Sequence, residues 1–166
     1  MQGHRRALAA LIAATSLIAA APASATPPTR TFEVRHPHFV FPYCGSFPLH
    51  LDGIVTRETT TFYNRSAVPV RLEVSWTQDS IFSNPVNGKS VPASGNWRIT
   101  RYYTDGLLNG IAHQTGRTYI VTVPGRGVIF QQAGRGTQID GQTVFEHGPH
   151  DFEDQNFGVL CAYLAA

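Results

Sequence analysis

The chain is poor in lysine, methionine, cysteine and charge. Lys89 is its one lysine and Met1 its one methionine, and charged residues make up 14% of the 166 positions. Its arginines are scattered singly, apart from Arg5-Arg6 near the start. Without a basic stripe the surface lacks the footprint that neutralises phosphates, so nucleic acid is excluded as a partner. Removing Arg5 and Arg6 from the 13 basic residues leaves 11, equal to the 11 acidic ones, so the rest of the chain is near neutral with histidines uncharged. No G-x-S-x-G elbow occurs; Ser46, Ser90 and Ser94 lie in turn-like sequence near glycine or proline. Gly125-Arg126-Gly127 and Gly134-Arg135-Gly136 do not continue as phosphate loops and read as hairpin glycines. Glu58, Glu73 and Glu146 have no spacing that sets up acid–base work.

Long apolar runs are also missing, with one exception at Ala7–Ala21. Arg5 and Arg6 precede it and the small-residue signal Ala23-Ser24-Ala25 follows, the layout of a secretory signal peptide over residues 1–25. The run is shorter than the roughly 20 residues that span a bilayer, and Pro22 ends it. The expectation is export to the extracellular space, cleavage after Ala25, no membrane insertion afterwards, and a single domain over 26–166.

Only Cys44 and Cys161 are present, near opposite ends of that domain. In an oxidising compartment an isolated pair reads as a disulfide. The loop it closes exceeds a hundred residues, for which chain entropy gives about 4–5 kcal/mol. Neither cysteine carries a catalytic signature around it.

What is there is the rhythm of antiparallel strands. Val70, Leu72, Val74 and Trp76 alternate with Arg71, Glu73 and Ser75, and Tyr119, Val121 and Val123 alternate with Thr118, Ile120 and Thr122. Further strands are expected in 31–41, 49–63, 97–103, 127–132 and 143–146, with turns at 64–67, 84–88, 105–106, 124–125 and 140–141. Short turns between consecutive strands describe an all-β antiparallel meander, closed into a small barrel or folded as a sandwich. Phe157, Leu160, Cys161 and Leu164 instead recur at helical spacing, so a short C-terminal helix is expected, with Asp151, Glu153 and Asp154 at its N-terminal side.

The segments FPYCGSFPL, FSNPVNGKSV and VLCAYLA together resemble a group of secreted actinobacterial proteins. That group carries a Cys-Gly near the mature start, an Asn-Pro-x-x-Gly-Lys-Ser turn and a C-terminal Cys; here these are Cys44-Gly45, Asn84–Ser90 and Cys161. The resemblance implies architecture and assigns no catalytic residue. A looser similarity, in strand rhythm alone, is to allene-oxide-cyclase and dirigent-type barrels.

His36 and His38, two apart in RHPHFVF, and His147 and His150, in EHGPHD, are the candidate metal ligands. A zinc site needs three or four ligands converging, and this spacing is not diagnostic. Pro37 between the first two lacks an N–H and marks an edge or a bulge. No cofactor is expected. Phe39, Phe41, Tyr43, Trp76, Trp97, Tyr102, Tyr103, Tyr119 and Phe130 either fill a core or line a pocket. The favoured function is a non-enzymatic extracellular domain that binds a small apolar ligand or a cell-envelope component. The alternatives are an isomerase- or cyclase-like barrel enzyme using His36 and Glu146, a metal-dependent enzyme, and a structural envelope protein.

Overall fold

The computed structural model describes residues 26–152 and 154–166; the expected signal peptide and Glu153 lie outside the described residues. Eight strands follow one another as β1 (Thr29–Arg35), β2 (His38–Phe41), β3 (Leu49–Tyr63), β4 (Pro69–Ser83), β5 (Ser90–Thr104), β6 (Leu107–Val123), β7 (Gly127–Ile139) and β8 (Gln142–His147), and the helix α1 (Gly158–Ala165) ends the chain. From β3 to β8 each strand pairs antiparallel with the next, while β1 and β2 both pair with β3.

The expected first strand is broken in two at His36-Pro37. Proline has no N–H for the ladder, and only its carbonyl is used, accepting from the Gly53 amide at 3.2 Å. Strands β4, β5 and β6 are longer than their apolar alternation, because residues such as Gln78–Ser80 and Gln114–Arg117 are held by ladder bonds from both neighbours. The turns fall where the sequence places them. Asp105-Gly106 and Asp140-Gly141 have positive φ at both residues, 52° and 80°, and 51° and 81°, as a two-residue hairpin requires.

Alternation sorts the side chains onto two faces. Leu49, Leu51, Phe82, Val91, Ala93, Tyr119, Val121, Val123 and Phe130 share one face, and α1 packs on it through Phe157, Leu160 and Leu164. Burying each large apolar side chain there contributes about 1.5–3 kcal/mol. The disulfide between Cys44 and Cys161, with Cα atoms 5.3 Å apart, ties α1 to the segment before β3.

Asp151, before α1, does a different job from the one expected. The helix has no side-chain N-cap and no acid in its first turn. Asp151 instead accepts from the Gln131 amide at 2.7 Å and from the Asn156 side chain at 3.1 Å, satisfying a backbone donor in β7. At the other end, the side-chain amides of Asn84 and Asn87 donate to the Leu164 carbonyl at 3.2 and 3.0 Å.

The sheet is not closed into a barrel by hydrogen bonds: among the described residues β1 and β8 are edge strands that do not pair with each other. On the helix side aromatic side chains link strands that are not neighbours in the sheet. Phe41 of β2 meets Phe152 at 5.6 Å, Phe152 meets Tyr119 of β6 at 5.3 Å, and Phe157 stacks on Phe130 of β7 at 4.9 Å. No helix among the described residues is long and apolar enough to cross a membrane.

Candidate functional site

Beyond the core, the helix-side face continues toward the far end of the long strands and changes character. The register places Glu33, Arg57, Trp76, Trp97, Gly116 and Gly134 side by side across β1, β3, β4, β5, β6 and β7. Trp76 and Trp97 form a non-core pair, half-buried, with ring planes 7° apart and centroids at 5.3 Å. The Arg57 guanidinium lies 5.8 Å from the Trp76 ring on the other side, within cation–π range. On the far side of Trp97 the next residue is Gly116, which has no side chain to cover it. A Cβ there would lie 2.4 Å from the Asn96 carbonyl oxygen and 2.7 Å from the Trp97 Cα, at φ +118°, so the close approach of β5 and β6 requires glycine.

The indoles line an open cleft of about 450 Å³ together with Arg35, Phe39, Val55, Arg57, Gln78 and Tyr119. That is within the size range of small-molecule sites, which combine apolar walls with a few polar groups that fix orientation. The polar groups here are unevenly charged. Glu33 lies 2.7 Å from Arg35 Nε and 3.6 Å from Arg57, so one carboxylate faces two guanidiniums. The hydrogen bond from Arg35 holds the Glu33 carboxyl below its usual 4.5. Arg57 Nε is buried and has no hydrogen-bond partner. Tyr119, packed between Phe82 and Phe152, has its phenol pushed up from 10.0 by burial, with a hydrogen bond to Gln78 acting the other way.

A narrow polar slot adjoins the cleft at Thr118. It is floored by Gly116, Gly134 and Gly136, rimmed by Gln114, Gln132, Gln138 and Glu146, and about 40 Å³ in volume, room for water-sized groups. His150 Nδ1 stands 3.0 Å from Glu146 Oε1 and 3.3 Å from the Gln132 amide nitrogen there.

The histidine candidates do not assemble. His36 is exposed at the break between β1 and β2. His38 lies on the face away from α1, 2.5 Å from Asp52, with its ring edge-on to His50 at 5.4 Å. His147 is exposed at the end of β8, and His150 bridges to Gln132 of β7. Among the described residues no group of three or more His, Cys, Asp or Glu is placed to hold a metal ion. Of the two residues named for an enzyme reading, His36 lies at the β1–β2 break and Glu146 on β8, where it contacts His150.

Sequence reading named both tryptophans but did not join them. The signal was available: Trp76 and Trp97 are equidistant from Val86-Asn87, the centre of the turn between β4 and β5, so an unslipped hairpin must pair them. Gln78, Gln114 and the two arginines carried no comparable signal, because their roles depend on which face of which strand borders the cleft. Comparison of the chain with protein-family models, with curated proteins and with solved structures finds no match.

Proposed function

We propose that this chain is a secreted, non-enzymatic β-domain that binds a small ligand with a flat, apolar face on the helix side of its sheet. The observation that carries the reading is the Trp76–Trp97 stack, backed by Arg57 and open toward Gly116. Aromatic pairs of this kind contribute about 0.5–1.5 kcal/mol beyond area burial, and a core position would serve that purpose better than a half-buried one beside a cleft. Export fits the Cys44–Cys161 disulfide, since such bonds persist in oxidising compartments. The same proposal includes an open-barrel curl of the sheet around α1, supported by the aromatic contacts that link β2 to β6 and β7. The resemblance to secreted actinobacterial proteins belongs to it too, and a cell-envelope component is one source of such a ligand.

Native mass spectrometry of the protein from its own culture medium tests the reading. A co-purifying small molecule is expected on the wild type and its loss on Trp97→Ala, at unchanged secondary structure by circular dichroism. An adduct that survives Trp97→Ala, or none on either protein, overturns the site.

A further inference from the structure

We infer that the ligand of the indole cleft is anionic, carrying a carboxylate, phosphate or sulfonate group beside its flat face; this rests on the binding reading above. The charge inventory of the helix-side face carries it. By register the charged residues on that face are Glu33 and Arg35 on β1, Arg57 on β3, Arg101 on β5 and Glu146 on β8; β2, β4, β6 and β7 contribute none. Glu146 is engaged with His150 in the neighbouring slot. The cleft wall is thus left with Arg35 and Arg57 against Glu33 alone, an excess of one positive charge.

Geometry adds a second, independent argument. Arg57 is held between two roles, its guanidinium over Trp76 at 5.8 Å and one Nη 3.6 Å from Glu33, too long for a good hydrogen bond. Its Nε has no acceptor at all although it is buried. Buried donors are normally satisfied, and a guanidinium presents a planar fork suited to a two-oxygen acid group. An acid placed against the outer nitrogens of Arg57 and Arg35, with the rest of the ligand lying along the indoles where they line the cleft, gives the guanidiniums a better acceptor than the 3.6 Å contact and neutralises the excess charge. Two kinds of molecule share this chemistry, an acidic saccharide presenting the apolar face of its ring and an aromatic acid.

Calorimetric titration of the intact protein with matched probes separates them: 2-naphthoate against 2-naphthylmethanol, and trigalacturonate against galactotriose. The acid member of at least one pair is expected to bind roughly tenfold more tightly than its neutral partner, as charge-assisted bonds to a guanidinium provide. That advantage should collapse in Arg57→Gln and in Arg35→Gln, both exposed enough to leave the fold intact by circular dichroism. The pair that shows the advantage identifies the source. Equal affinities within both pairs overturn the anionic inference, and if Trp97→Ala still weakens both members the indole site itself stands. Absence of binding by all four probes at millimolar concentration overturns the anionic inference; the adduct experiment above then decides the site separately.

Discussion

At the scale of single residues, Tyr119 shows how placement alters a property that the sequence leaves ordinary. Its phenol is buried against Phe82 and Phe152 and its ionisation is driven up from 10.0 by that burial. Below pH 10.0 the phenol is neutral in both folded and unfolded chains, so its contribution to stability is complete. As pH rises through the raised native value the unfolded chain ionises first, and that contribution is lost. Phenolate absorbance is therefore expected to contain a component titrating above 10.0 that Tyr119→Phe removes; a profile whose high-pH end is unchanged by that substitution would contradict the packing around this ring. The tryptophans behave in the opposite sense. They are common core residues by type, yet here they stand outside the core cluster, because strand register carries them beyond the reach of α1.

At the scale of elements, α1 and the turn between β4 and β5 depend on each other. The helix is eight residues long, without an N-cap side chain, and a helix that short is marginal alone in water. Tertiary contacts hold it: Leu160 and Leu164 are fully buried, Asn84 and Asn87 take up the Leu164 carbonyl, and Cys161 is bonded to Cys44. The disulfide spans 117 positions, and removing a native bond of this type costs about 2–5 kcal/mol. The double substitution Cys44→Ser, Cys161→Ser is expected to lower the urea midpoint accordingly. An unchanged midpoint would show that the core holds the helix unaided. Part of this was legible in the sequence. The stripe of Phe157, Leu160, Cys161 and Leu164 fixed the helix and its buried side, whereas Asp151 before it misled. Asp151 is recruited by the Gln131 amide of a distant strand, a partner that local sequence does not reveal.

At the scale of the whole molecule, the sheet has two unequal halves. Near α1 the strands share one apolar cluster; at the far ends Leu107, Val144 and Phe145 are exposed, and β1 and β8 are open edges. Local opening is cheapest where buried apolar contacts are few. Amide hydrogen exchange is thus expected to be slowest in 49–51, 80–82, 91–93, 119–123 and 130, and fastest in β1, β8 and 102–110. Uniform protection along β5 and β6 would mean that the far half is covered in solution. The indole cleft lies at the boundary between the halves, anchored by the packed end and open toward the other.

The sequence alone determined the all-β meander, its turns, the terminal helix and the partner of each cysteine, because these follow from local alternation, backbone-permissive turn residues and there being only two sulfurs. It did not decide whether the sheet closes, where the histidines go, or that two tryptophans and two arginines share one cleft. Those outcomes depend on register between strands and on the packing of α1 against one face of the sheet. Both are set by contacts between residues far apart in the chain, where a side chain's type says little about its neighbours.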